Sequence, residues 1–264
     1  NDEGEKIRVI QTTIDSEEGI LTASDILDTR MRERLDWKDF AILYRTNAQS
    51  RIFEEMLRKR NIPYKIYGGQ SFYERKEIRD LIAYLRLVVN PDDEEALRRV
   101  INYPKRGIGD TTIQKLMELA RSLEVSIWSI ISSPGLSEKY LAPALRAKIA
   151  HFTNLLLPVM AVADTATAYD IASGMASASG IITELKAGQV PEEIDRLENV
   201  QELLNGIKEF TESAVTNGEP SDIATWLQSV SLLTDQDLEK PEDRDKVTLM
   251  TIHSAKGLEF KYVY

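Results

Sequence analysis

The stretch "VTLMTIHSAKGLEF", Val247 to Phe260, changes character halfway along. Its first half alternates apolar and small residues as a buried strand does, and its second gathers His253, Ser254, Lys256, Gly257 and Glu259 into one short run. A polar cluster directly after the carboxyl end of a strand stands where open α/β sheets bind their ligands. In that place Gly257 allows close backbone approach, Lys256 can face a phosphate, and Glu259 can accept from a ribose hydroxyl. The alternative is a turn that merely ends a strand, with Lys256 and Glu259 solvated.

Working outward, "KIRVIQTTI" (Lys6 to Ile14), "DFAILYR" (Asp39 to Arg45) and "YKIYG" (Tyr64 to Gly68) read as strands rich in branched apolar residues. Helical patterns lie between them. Asn47 is placed to cap "AQSRIFEEMLRKRN", where Ile52, Met56 and Lys59 share a face, and Asn61 with Pro63 marks the end. From about Glu74 to Thr234 the helical period takes over. "EIRDLIAYLRLVV" puts Ile78, Leu81, Ile82, Leu85 and Val89 on one stripe, and "PEEIDRLENVQELLNGIKEF" does the same with Ile194, Leu197, Leu204 and Ile207. Pro191 suits a first helical turn, and Ser221 is placed to cap "DIATWLQSVSLL". The strand rhythm resumes only at Val247. These patterns predict an α/β fold with a large all-α insertion: a parallel sheet domain over 1–90, a helical domain over 91–243, and the sheet domain continued over 244–264.

Composition sets the surroundings. The chain has 264 residues, 42% hydrophobic and 29% charged, enough for a sizeable core. It has no apolar run of membrane-spanning length, and its first residues lack the basic start and apolar core of a signal peptide, so no membrane partner is expected and the cytoplasm is the default location. With no cysteine and two histidines, His151 and His253, neither a thiolate nor a histidine-rich metal site is expected. The net charge of -10 is unevenly spread. "DQDLEKPEDRDK" (Asp235 to Lys246) reads as a solvated acidic linker, whereas "RRVINYPKRG" (Arg98 to Gly107) has four cations and no acid.

That basic run leads into "KRGIGDTT", Lys105 to Thr112. Two glycines, Gly107 and Gly109, can expose backbone amides at a tight turn. Asp110 or Thr111 can cap the next helix, and a helix start flanked by Lys105, Arg106 and the hydroxyls of Thr111 and Thr112 can bind a phosphate without reading sequence. The alternative is a helix-turn-helix connection whose glycines serve geometry and whose cations are solvated. In "SFYERKEIR", Phe72 and Tyr73 could stack on bases, although burial against the next helix is the commoner outcome.

"TIHSAKGLEF" resembles the fifth conserved motif of the UvrD/Rep/PcrA family of superfamily 1 DNA helicases, and "DFAILYRTNAQSR" resembles its fourth. "YGGQSFYERKEIRDLIAYLRLVVNPDD" and "INYPKRGIGDTTI" resemble the intervening segments, in order. The resemblance implies most of a second RecA-like motor domain (2A) interrupted by its helical insertion (2B), with the ending "FKYVY" read as a truncation. It implies that Tyr44 stacks on adenine, that Arg45 reaches the terminal phosphate as the catalytic arginine, and that Gly257 and Glu259 lie by the phosphates and the ribose. It also implies that Thr251, His253 and Lys256 face single-stranded DNA or couple it to the nucleotide, and that the Lys105 to Thr112 turn meets duplex DNA. Without the resemblance, Tyr44 reads as a core residue, Arg45 as a surface ion pair and His253 as a packed strand-end histidine.

No G-x-x-x-x-G-K-[ST] loop occurs in the chain. ATP and Mg are therefore expected in a longer parent whose first motor domain is a partner, with neither completely bound by this chain. The chain alone is expected neither to hydrolyse ATP nor to unwind DNA. A stand-alone, non-catalytic DNA- or protein-binding module is the alternative.

Overall fold

A computed structural model describes residues 6–188, 190–235 and 245–264, the side chains of 232–235 excepted. The expected acidic linker, Asp235 to Lys246, lies outside the described residues except at its ends. Two compact units divide the chain, Asn1–Phe72 with Glu239–Tyr264, and Tyr73–Leu238. The helix that follows Arg75 thus falls in the second unit, whereas the sequence pattern places it in the sheet domain over 1–90.

The first unit holds α1 (Asp15–Glu33), β1 (Phe40–Tyr44), α2 (Ser50–Lys59), β2 (Tyr64–Ile66), β3 (Val247–Thr251) and β4 (Tyr262–Val263). The four strands form one parallel sheet in the order β2-β3-β1-β4. The late strand β3 is inserted between the two early ones. Its residues Val247 to Met250 are all buried, as expected of a central strand covered on both faces. Phe40, Ile42, Val247 and Leu249 form the core with Ile52, Phe53, Met56 and Leu57 of α2 and Ala23 and Ile26 of α1.

Two local expectations fail here. Lys6 to Thr12 is not a strand, and Ile7 and Val9 are 94% and 88% exposed. Branched residues favour a strand only where another strand pairs with it, and among the described residues none does. Asn47 is not a cap. It opens a 3-10 turn, Asn47–Gln49, in which the Gln49 side-chain oxygen accepts from the amides of Arg45 (2.9 Å) and Thr46 (3.0 Å). Ile52 and Met56 are buried but Lys59 is exposed.

A buried carboxylate ties α2 to the chain beyond β2. Glu54 is fully buried and accepts from Arg58 (3.3 Å), the Ser71 hydroxyl (2.5 Å), the Tyr64 hydroxyl (3.3 Å) and the Phe72 amide (3.1 Å). Phe72 is itself buried, as is Tyr73, so neither ring is a stacking platform for bases.

The second unit is helical: α3 (Lys76–Val89), α4 (Glu94–Val100), α5 (Asp110–Leu123), α6 (Ile127–Ser132), α7 (Pro134–Tyr140), α8 (Pro143–Met160), α9 (Ala168–Ser179), α10 (Ile181–Ala187), α11 (Pro191–Asn217) and α12 (Ile223–Asp235). The α3 helix is its axis, packing on α4, α8, α9, α11 and α12. Ile78, Leu81, Tyr84, Leu85 and Leu87 are fully buried, while Val89 at its end is exposed. On α11 the buried face is Val200, Leu203, Ile207, Thr211 and Ala214, a stripe offset from the expected one. Leu197 and Leu204 are half-buried, and Ile194, in an end turn that meets little of the core, is 52% exposed. The offset follows Asn199, which is buried because its side chain donates to Glu77 (2.7 Å) and accepts from Arg75 (2.9 Å). Asp222, not Ser221, caps α12, accepting from the Thr225 amide at 2.9 Å.

Removing Glu54 would leave the Arg58 cation buried without its carboxylate. Glu54→Ala is expected to cost about 3–5 kcal/mol of stability, read from urea unfolding.

Candidate functional site

Because the sheet is parallel, the loops after β1, β2 and β3 leave from one edge. Pairing of β1 and β3 continues one residue past Tyr44↔Thr251, where the Ile252 amide donates to the Tyr44 carbonyl at 2.9 Å. The chain then turns on itself. The Ser254 amide donates to the Thr251 carbonyl (3.0 Å), the Thr251 and Ser254 hydroxyls meet at 2.9 Å, and the Leu258 amide donates to the Ala255 carbonyl (3.0 Å). Gly257 has φ +86 with open space around its Cα, so backbone conformation rather than crowding selects glycine there. A Cβ on Gly68, after β2, would lie 3.5 Å from the Ser254 hydroxyl, which brings the third loop to the same place.

This geometry sorts the expected residues. Arg45 and His253, 208 positions apart in sequence, meet: Arg45 Nη1 lies 3.3 Å from His253 Nε2 and 3.5 Å from Nδ1, and both side chains are exposed. Lys256 and Glu259 are exposed on the same turn, and neither side chain makes a hydrogen bond or ion pair among the described residues. Thr251 is half-buried and faces Ser254. Tyr44 is 4% exposed and belongs to the core of its unit, so its ring offers no open stacking face in this structure.

In the second unit, the turn between α4 and α5 is built from within. The Asn102 side-chain oxygen accepts from the amides of Arg106 (2.9 Å) and Ile108 (3.0 Å). Arg106 donates to the carbonyls of Val100 (3.1 Å) and Ser179 (2.9 Å), and its guanidinium lies over the rings of Tyr84 and Phe152. Burial pushes the Tyr84 hydroxyl up to about 12, so it stays neutral and donates to the Tyr103 carbonyl at 2.6 Å. Arg106 is therefore a strut of the turn and not a free cation. Lys105 is exposed, as are Gly107, Gly109 and Thr111, while Thr112 is half-buried. Gly107 adopts φ +73, and its carbonyl accepts from Lys148 at 2.9 Å.

The start of α5 differs from expectation. Gly109 is the N-cap, no side chain caps the helix, and Asp110 is its first residue. The Asp110 carboxylate thus already faces the positive end of the helix and competes with any bound phosphate there. Asn102 and Lys148 were not singled out in the sequence. Asn102 carried a signal, since asparagine side chains commonly organise turns; Lys148 carried none, being on α8.

Among the described residues no group of His, Asp or Glu could hold a metal ion. The donor set at the sheet edge, one exposed arginine and one exposed carboxylate, suits the phosphate and ribose parts of a nucleotide. No described helix is long and apolar enough to cross a membrane.

The structure is thus an α/β protein with a large helical unit between its second and third strands and a polar turn at its sheet edge. The chain belongs to the UvrD-like helicase C-terminal domain family, which it matches over residues 1–264. It is 37% identical over 266 residues to the ATP-dependent DNA helicase PcrA of Leuconostoc citreum, covering 100% of this chain and 35% of that protein. It is 35% identical over 267 residues to PcrA of Staphylococcus aureus (strain Mu50 / ATCC 700699), with the same coverage of each. To the ATP-dependent DNA helicase Rep of Escherichia coli (strain K12) it is 35% identical over 268 residues, covering 99% of this chain and 39% of that one. The chain spans little more than a third of the length of these relatives.

Arg106→Ala is expected to lower stability by about 2–3 kcal/mol, because it strips two carbonyls of charge-assisted partners, whereas Lys105→Ala should stay within about 0.5 kcal/mol of wild type. Urea midpoints of the two variants separate these roles.

Proposed function

We propose that this chain is part of an ATP-dependent DNA helicase that moves on single-stranded DNA and separates duplex. In this reading the first unit is most of the second RecA-like motor domain and the helical unit is its insertion. The observation that carries it is the meeting of Arg45 with the His253 turn at the carboxyl edge of the sheet. One permanently charged, exposed guanidinium stands beside a turn carrying a cation, a carboxylate and an imidazole, as a nucleotide-responsive DNA contact requires.

The residue roles follow from chemistry. Arg45 is a planar cation on a short tether to β1, suited to stabilising charge that develops on a transferred phosphoryl group. Glu259 accepts from a ribose hydroxyl, and Gly257 keeps the backbone close to the phosphates. Thr251, His253 and Lys256 line the single-stranded path. Lys105, the amides of Gly107 and Gly109 themselves, and the Thr111 and Thr112 hydroxyls meet duplex phosphates, with Arg106 holding their turn in shape. The phosphate loop and the Mg ligands belong to the rest of the longer protein.

In that longer protein, Arg45→Ala should slow ATP turnover by about a thousandfold while single-stranded DNA affinity changes little, since the charge acts mainly in the transition state. Steady-state turnover and a DNA titration on the same preparation measure both. Lys105→Ala should flatten log affinity for duplex against log salt by about 0.9, the share of one phosphate, equally for two unrelated sequences. An unchanged slope would remove Lys105 from the interface.

A further inference from the structure

The contact between Arg45 and His253 has an unusual shape. A single guanidinium nitrogen lies almost equally far from both ring nitrogens, 3.3 and 3.5 Å. It cannot lie along two lone pairs that diverge in the ring plane, so the guanidinium rests across the face of the imidazole. Both residues stand just beyond the last backbone bond between β1 and β3, from Ile252 to Tyr44, so the rigid sheet fixes the root of each side chain. The Arg45 amide is held by Gln49 at 2.9 Å, and His253 begins the turn that Thr251 and Ser254 close. Both ends of the contact are therefore fixed by backbone, and the arginine side chain is its flexible part.

We propose that His253 is the positioning residue for Arg45: its flat ring holds the guanidinium in one orientation, and single-stranded DNA packed against that ring steadies the pair. The inference rests on the proposed function, which gives Arg45 a phosphate to act on. An exposed arginine side chain has many rotamers to give up when it is held in one orientation. A planar partner removes part of that freedom before substrate arrives, which is the basis of preorganised electrostatic stabilisation. His253 then sets turnover rather than nucleotide affinity. It also makes turnover respond to DNA through one side-chain contact, without a change of fold.

The test uses the full-length helicase carrying this chain, with ATP turnover measured with and without saturating single-stranded DNA, and with DNA affinity measured separately. His253→Ala should lower DNA-stimulated kcat about tenfold, leave KM for ATP within about twofold, and abolish most of the stimulation, as loss of orientation alone would. His253→Phe keeps a flat face for the guanidinium but no hydrogen-bonding nitrogen, and should restore kcat to within about threefold of wild type. In an Arg45→Ala background, His253→Ala should change kcat by less than about twofold, because the two residues act as one. If the two losses multiply in the double variant, or if His253→Phe is as slow as His253→Ala, the positioning role is overturned. If His253→Ala instead weakens DNA binding with kcat unchanged at saturating DNA, His253 is a strand contact only and the inference fails while the proposed function stands. Full turnover by Arg45→Ala alone would remove the arginine assignment and the inference with it.

Discussion

The parallel pairing of β1 with β3 is the constraint on which the rest of the sheet edge depends. It joins residues separated by an entire helical unit, and its register, Ala41↔Thr248 through Tyr44↔Thr251, decides what stands beside Arg45. A slip of one residue would invert the faces of β3 and put Ile252 or Ser254 in the place of His253. Burial of Val247 to Met250 between two neighbouring strands prevents that slip, since every residue of the run is anchored. The long detour is cheap in closure entropy: each doubling of a flexible loop adds only about 0.6 kcal/mol.

The sequence displayed this arrangement where apolar patterning and backbone need coincide. Branched apolar residues mark β1, the alternation of apolar and small residues marks β3, and the change to the helical period near Glu74 marks the helical unit. Lys6 to Ile14 failed because its pattern describes a face that wants a partner, and pattern alone cannot say whether one is present. The buried stripe of α11 was displaced for a different reason. Asn199 lies inside because Arg75 and Glu77 satisfy it, and a hydrophobic template places asparagine outside. Glu54 was hidden by the same rule: Arg58, Tyr64, Ser71 and Phe72, which meet it, come from α2, β2 and the segment beyond, so its burial is a tertiary fact.

The two arginines show how far a site can be read from local sequence. Arg45 and Arg106 each sit in a polar turn and each reads as an exposed cation. Arg45 is one, and its neighbour at the imidazole comes from the far end of the chain. Arg106 is not, because Val100 and Ser179 supply carbonyls and Tyr84 and Phe152 supply ring faces at a spacing that no local pattern encodes. An acid-free basic run therefore marks where positive charge is needed without saying whether the need is a ligand or the protein's own carbonyl oxygens. The motif located the turn, and the tertiary partners divide its residues into exposed groups and struts.

That division has a consequence for specificity. The first unit sets the shape of the β3 turn with its own residues, Tyr44, Gly68 and Thr251, and the second sets the glycine turn with Asn102, Lys148 and Ser179. In both places backbone polar groups are held by side chains, and the remaining cations, Lys256 and Lys105, are exposed. Exposed lysines, and any turn amide not already bonded, recognise phosphate by charge and distance, and neither reads a base edge. Planar recognition is left to Arg45, whose guanidinium lies beside the His253 ring. In the proposed reading, the chemistry of the two turns therefore suits sequence-independent contact with a nucleic-acid backbone and leaves geometric discrimination to Arg45.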